Sequence, residues 1–116
     1  MNDDILFPHQ RLDVYVACKE LAVMVRAVGI RDANLRDQAV RAADSVFLQL
    51  SEGLPSYRPK MRLVFFERAR DSLFELVAAL HLACEIGAIE ASAWSEMQSR
   101  ASHAHRTQRQ SFVSTE

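Results

Sequence analysis

The sequence predicts an all-α fold, an antiparallel up-down-up-down bundle of four helices, and three observations carry this prediction. Long stretches place apolar residues at steps of three and four, the spacing that lays one apolar stripe along a helix. The 116-residue chain has three glycines and three prolines, and none lies inside those stretches. The connections are short, which favours antiparallel neighbours.

The first helix is predicted over residues 11–29, after an N-terminal arm of residues 1–10 that docks through Leu6 and Phe7. Gly29 is predicted to end this helix. Its stripe steps by four, three, four and three through a heptad-like seam of Val14, Cys18, Leu21, Val25 and Val28.

The second helix is predicted over residues 35–53 and is the most regular of the four. Asn34 is predicted as its N-cap, with Asp37 reaching back as a variant capping box. Gly53 is predicted to end the helix in the left-handed conformation. The apolar stripe consists of Leu35, Ala39, Ala42, Val46 and Leu50.

The third helix is predicted from Pro59, a residue that fits the first helical position, to residue 86 or 87. Its stripe is Leu63, Phe66, Ala69, Leu73, Leu76, Leu80 and Ala83. A weaker fourth helix is predicted over residues 90–106, so that the bundle domain covers residues 11–106. Residues 107–116 are polar and are predicted to form a frayed tail.

Apolar side chains that lie off these stripes predict a closed homo-oligomer built through the first and third helices. A four-helix monomer of this size would expose them as an unusually large patch. The predicted interface residues are Tyr15, Phe65, Phe74, Leu82 and Ile86, and the first helix adds Leu12, Val16 and Val23.

Polar residues of the second and third helices predict either a structural seam or ordinary solvated edges. The seam residues are Gln38, Arg41, Ser45, Glu52, Ser72 and Glu75. Folding the two helices back on each other near residue 56 places Arg41 near Asp71 and Glu75. We predict an ion pair there, and truncating a partly buried Arg41 would cost about 3 kcal/mol.

Charge argues against strong nucleic-acid binding by the whole chain, because its net charge is −1. A local basic cluster nevertheless consists of Arg58, Lys60, Arg62, Arg68 and Arg70, with Glu67 as its single acid. We expect this cluster to bind nucleic acid weakly at low salt and not appreciably near physiological salt.

The sequence predicts no catalytic, cofactor or metal site, and hence no enzyme. His103 and His105 are two residues apart and do not face each other on a helix. Glu67, Asp71 and Glu75 share a face, but the chain has no Glu-x-x-His motif of the kind that di-iron bundles use. No serine lies in a glycine-flanked nucleophile-elbow motif, and the sequence contains no glycine-rich phosphate-binding loop.

The expected compartment is the cytoplasm, without membrane association. Cys18 and Cys84 lie in apolar helical context, which is typical of reduced thiols in a cytosolic core. The acidic N-terminus is unlike a signal peptide. The longest apolar run, around residues 76–84, is interrupted by His81 and is too short to span a bilayer.

Two motifs resemble a known family. The second helix carries Gln38-x-x-Arg41-Ala42-Ala43-x-Ser45-Val46, followed by Gln49-Leu50-Ser51-Glu52-Gly53. The four-helix bundle family, also called intervening-sequence proteins because some are encoded within insertions in bacterial large-subunit ribosomal RNA genes, shows Q-x-x-R-A-x-x-S-I and then N-I-A-E-G. The family's next helix is matched without a gap at Phe65, Phe66, Ala69, Ser72, Leu73, Glu75 and Leu76. Departures from the pattern occur at Gln49, Pro55, Arg58, Met61, Arg62 and Asp71.

The resemblance implies a bundle that assembles as a ring, typically a homopentamer, with no known catalytic activity. A related group, the accessory proteins of diversity-generating retroelements, are basic pentamers that bind nucleic acid and the reverse transcriptase; the net charge of −1 is unlike theirs. Two functions therefore stay open. The favoured one is an oligomeric scaffold or adaptor that binds a protein partner, and the alternative is a nucleic-acid-binding accessory protein that uses the cluster at residues 58–70.

Overall fold

The computed structural model describes residues 7–8 and 12–113, and their side chains as far as Ser111. Four helices account for most of these residues, and no strand occurs among them. The prediction of an all-α protein with four helices is confirmed. The helices are α1 (Asp13–Ala27), α2 (Ala33–Gly53), α3 (Pro59–Glu85) and α4 (Ala91–Val113).

The helices enclose one core, in which each helix packs mainly against two others. Helix α1 contacts α2 and α4, and α3 contacts the same two, so that α1 and α3 lie at opposite corners. Each helix contributes to the centre, where Leu21, Leu50, Leu73 and Met97 are all less than 2% exposed. Apart from the ends of the first and third stripes, Val28 and Leu63, the stripes predicted for the first three helices are buried.

Helix α2 is capped by Asp32, not by Asn34 as the sequence predicted. The Leu35 N–H donates to Asp32 Oδ1 at 2.9 Å, and Asp32 has the extended backbone that an N-cap requires (φ −114°, ψ 122°). Asn34 lies inside the first turn and is exposed. The prediction was wrong because the helix begins two residues earlier than its apolar stripe.

The cap makes a stability prediction. Replacing Asp32 by Ala should lower the free energy of unfolding by about 1 kcal/mol, because one N–H at the helix start loses its acceptor. The matched variant Asn34→Ala removes a similar polar side chain from the first turn without removing the cap, and should change stability by less than about 0.5 kcal/mol. Urea unfolding of both variants measures this, and equal losses would contradict the assignment.

Two helices are followed by a glycine with left-handed backbone, as the sequence predicted for Gly29. At the end of α3, Gly87 has φ 77° and its N–H donates to Cys84 O at 3.0 Å. The Ala88 N–H donates to Ala83 O at 2.7 Å, which completes a Schellman motif. Gly29, with φ 67°, occupies the corresponding position directly after the C-cap of α1.

Gly53 has a different role from the predicted one. It is the last residue of α2, it has no positive φ, and Leu54 follows it in right-handed helical conformation. A Cβ at Gly53 would lie 2.7 Å from the Cβ of Phe65. The position therefore requires glycine because α3 approaches the α2 backbone closely, and not because the helix turns left-handed there.

Helix α4 continues to Val113, whereas the sequence predicted a frayed tail from residue 107. Thr107 and Gln108 are 7% and 4% exposed. The Gln108 Nε2 donates to the Phe66 carbonyl of α3 at 2.6 Å. This attachment to the core explains why a polar segment remains helical, and residues 114–116 lie outside the described part.

The N-terminal arm lies mostly outside the described residues, and so does Leu6, one of its two predicted contacts. The other, Phe7, is 67% exposed, so it is not buried in the core.

Candidate functional site

The outer face of α3 carries a continuous row of exposed apolar side chains, which we call the α3 ridge. It consists of Phe74, Ala78, Leu82 and Ile86, four residues apart, a spacing that makes them neighbours on a helix surface. Phe74, Leu82 and Ile86 are 53%, 52% and 55% exposed. Within one chain these large side chains remain about half uncovered.

A second apolar surface lies on the outer face of α1, at the opposite corner of the fold. Leu12 and Val23 are 44% and 62% exposed, and Val16, on the same face, is half-buried. We call these three residues the α1 outer face. Because α1 and α3 occupy opposite corners, this face and the α3 ridge point in opposite directions.

Tyr15 and Phe65, the other two predicted interface residues, are partly used within the chain. The Tyr15 ring packs edge-on against Phe47 of α2, with 4.9 Å between ring centroids and 61° between planes. Phe65 is half-buried, and its Cβ faces the α2 backbone at Gly53. Both side chains therefore help to join α2 to its neighbours.

The predicted polar seam is reduced to one contact between α2 and α3. The hydroxyls of Ser45 and Ser72 are 2.8 Å apart and form a half-buried hydrogen bond. The other four members are exposed, and they are Gln38, Arg41, Glu52 and Glu75.

Arg41 forms no ion pair with Asp71, Glu75 or any other described residue, so the predicted pair is wrong. Arg41 and Glu75 lie one turn from the serine contact, and both are exposed. Water solvates such charges, and an exposed pair gains little from forming. Asp71 instead pairs with the neighbouring Arg70, with 3.4 Å between Asp71 Oδ1 and Arg70 Nη2.

The basic cluster does not form one surface. Arg68 and Arg70 are two residues apart on α3, about 200° around the helix. Arg62 is half-buried, with its guanidinium 5.6 Å from the centre of the Phe66 ring. Arg58 and Lys60 are exposed at the start of the helix.

Several contacts between the elements have no signal in the sequence spacing. The Nη1 and Nη2 of Arg26 donate to the two carboxylate oxygens of Asp44, each at 2.6 Å, and this paired geometry joins α1 to α2. The hydrogen bonds to Asp44 raise the pKa of Arg26 above its ordinary value. Arg100 of α4 similarly meets Glu20 of α1 at 3.1 Å. Arg31 donates to the Gly87 carbonyl at 2.7 Å and so joins the two loops at one end.

The thiols and imidazoles have structural surroundings. Cys18 is buried, and desolvation raises the pKa of its thiol to about 12, so it remains a thiol near neutral pH. Cys84 is half-buried and forms no disulfide with a described residue. The His81 ring stacks on Trp94, with 4.9 Å between centroids and 3° between planes. Across the described residues, no three His, Cys, Asp or Glu side chains are placed to share a metal ion.

These observations define a four-helix protein with large apolar side chains exposed on its outer surface. Over the part of the chain that the structure describes, no helix is long and apolar enough to cross a membrane. The chain belongs to the 23S rRNA-intervening sequence protein family, whose model matches residues 10–109, and the resemblance inferred from the sequence motifs is thereby confirmed. No curated protein gives a significant match.

Proposed function

We propose that the chain is a non-catalytic scaffold or adaptor that assembles into a closed homo-oligomeric ring and binds a protein partner. The observation that carries this proposal is the α3 ridge, whose three large side chains are each more than half exposed. Contiguous exposed apolar surface of this kind marks a protein-interaction site. In the ring, the α3 ridge of one protomer packs on the α1 outer face of the next.

The arrangement of the helices supports a ring over a two-fold dimer. Ser45 lies opposite Ser72, and Gly53 lies opposite Phe65, an order that supports antiparallel packing of α2 and α3. Two complementary apolar faces at opposite corners suit a head-to-tail contact, which generates a ring when the rotation closes. Five protomers is the number that the family resemblance suggests.

The outer face of α2 is the surface that we assign to the protein partner. Leu48 is 57% exposed at its centre. Around it lies an open depression with charges of both signs, including Arg36, Asp37, Arg41 and Glu52. An apolar centre with a polar rim is typical of protein–protein contacts. Mixed charge suits a protein better than a nucleic acid, which would be attracted by a field of one sign.

Affinity capture from the source cells tests the partner class. The oligomer should retain a protein after nuclease treatment, and Leu48→Glu should lose that protein while keeping its assembly. The purified chain should bind RNA or DNA only weakly, with a Kd of about 1 μM or higher near ~150 mM salt, because its basic residues are dispersed over the surface. Capture that nuclease abolishes, or submicromolar affinity at that salt concentration, would make the nucleic-acid alternative the leading one.

A further inference from the structure

A crevice between α3 and α4 is slightly smaller than a usual ligand pocket, and it has both apolar and charged residues on its walls. Its volume is about 240 Å³. Ligand pockets in proteins usually measure about 300–1,000 Å³, so a nucleotide is too large and a single small metabolite fits. Leu63 and Phe66 supply its apolar wall.

The charged groups of the crevice include both signs. Arg70 of α3 and Arg109 of α4 provide guanidinium donors, although one nitrogen of Arg70 also lies 3.4 Å from the Asp71 carboxylate. Glu67 provides a carboxylate acceptor. Arg109 and Glu67 are exposed at its edge and form no ion pair with any described residue. The crevice therefore offers separate partners for an anion and for a cation.

The side-chain amide of Gln108 contains a buried acceptor that has no hydrogen-bond partner among the described residues. Its side chain lines the crevice and is 4% exposed. The Nε2 is committed to the Phe66 carbonyl at 2.6 Å, which fixes the amide orientation and leaves Oε1 as the free acceptor. Oε1 is buried and has no hydrogen-bond partner among the described residues. Such an atom is costly to leave unpaired.

We propose that this crevice binds a small zwitterion with an apolar group, the chemistry of a free apolar amino acid. The ligand's carboxylate is held by Arg70 and Arg109, and its side chain by the apolar wall. Its ammonium is held by Glu67 and, after a small displacement of the Gln108 side chain, by Oε1, which water does not reach in the unliganded crevice. This inference goes beyond the proposed scaffold function, and no crevice residue belongs to the α3 ridge or the α1 outer face. The two surfaces are neighbours, because His105 also lines the crevice and its ring centroid lies 5.4 Å from that of Phe74 in the ridge.

Simpler ligands satisfy only part of this set. An inorganic anion would meet the two guanidiniums but would face Glu67 and leave Gln108 Oε1 without a donor. A simple cation would pair with Glu67 but would be repelled by the guanidiniums of Arg70 and Arg109. An uncharged apolar molecule would fill the wall and leave every polar group unpaired.

Two free amino acids and two derivatives separate these cases. The full chain is titrated with L-leucine, L-phenylalanine, N-acetyl-L-phenylalanine and L-phenylalaninamide, and binding is followed by ligand-observed NMR. Acetylation removes the positive charge and amidation the negative one. We expect at least one of the two free amino acids to have a Kd at least about ten times lower than that of either derivative, because each derivative loses a charge-assisted contact.

Three variants locate the site. Glu67→Gln and Arg109→Gln should each weaken binding about tenfold or more. Arg106→Gln makes the same charge change on an exposed face of α4, where the Arg106 guanidinium donates to Ser102 at 3.0 Å, and should leave binding unchanged. Circular dichroism checks that all three variants remain helical. Equal affinity for amino acids and derivatives, no saturable binding of either amino acid, or an equal loss in Arg106→Gln would overturn the proposal.

Discussion

Replacing Leu82 by Glu is expected to convert the assembly into single chains, whereas replacing Leu48 by Glu leaves its mass unchanged. The two leucines are matched, since they are 52% and 57% exposed within one chain. Leu82 lies at the centre of the α3 ridge, where a neighbouring protomer would cover it. A carboxylate buried there without a partner costs several kcal/mol, and the cost recurs at every contact of the ring.

Light scattering coupled to size exclusion measures the mass of both variants at equal concentration. Circular dichroism serves as the control for folding, because an exposed leucine on a single chain can be replaced without disturbing the core. If Leu82→Glu keeps the parent mass, the α3 ridge is not the interface. If Leu48→Glu dissociates as well, the outer face of α2 takes part in assembly and is no longer free for a partner.

Gly53→Ala is expected to lower the free energy of unfolding by about 2 kcal/mol, although alanine is the better helix former by about 1 kcal/mol. The added Cβ would lie 2.7 Å from the Cβ of Phe65, so the two helices would have to move apart. The contacted atom is the root of a side chain close to the backbone, and no rotation of the phenyl ring can remove the overlap.

Urea unfolding at fixed protein concentration measures the effect, because the stability of an oligomer depends on concentration. Gln38→Ala is the control, since it places alanine at an exposed position of the same helix and should change stability by less than about 0.5 kcal/mol. A Gly53→Ala variant as stable as the parent, or more stable, would mean that the close approach of α2 and α3 does not exist.

The fold was predictable from the sequence because apolar spacing directly reflects burial. The stripe of α2 is an example, since all its members from Leu35 to Leu50 lie in the core. The glycines after α1 and α3 were predictable for a similar reason, as few other residues adopt a left-handed backbone at a helix end. These features depend on one helix at a time.

Features that depend on two helices were predicted less well. Gly53 has the same sequence context as a helix terminator, and only the position of Phe65 shows that space is the constraint. The end of α4 depends on Gln108 reaching a carbonyl of α3, which no pattern within α4 indicates. The cap at Asp32 is a local feature of one helix, and it was missed for another reason, because the first turn of α2 precedes its apolar stripe.

The candidate site shows the same division. The α3 ridge follows from apolar residues left over after the core stripe is assigned, so Phe74, Leu82 and Ile86 were found from the sequence. Arg41 was placed in an ion pair from an estimated register, but its solvation depends on how far the side chain lies from the helix contact. The paired bonds between Arg26 and Asp44 join residues far apart in the chain and have no local signal.

Whether the protein forms a closed oligomer is decided by the mass of the unmodified chain near physiological salt. Light scattering coupled to size exclusion should give a closed oligomer that persists on dilution, with five times the 13.1 kDa of one chain as the expected value. A dimer or tetramer would keep the apolar-surface argument and discard the number taken from the family. A mass of one chain at every concentration would rule out the closed oligomer, because the α3 ridge would then remain exposed to water.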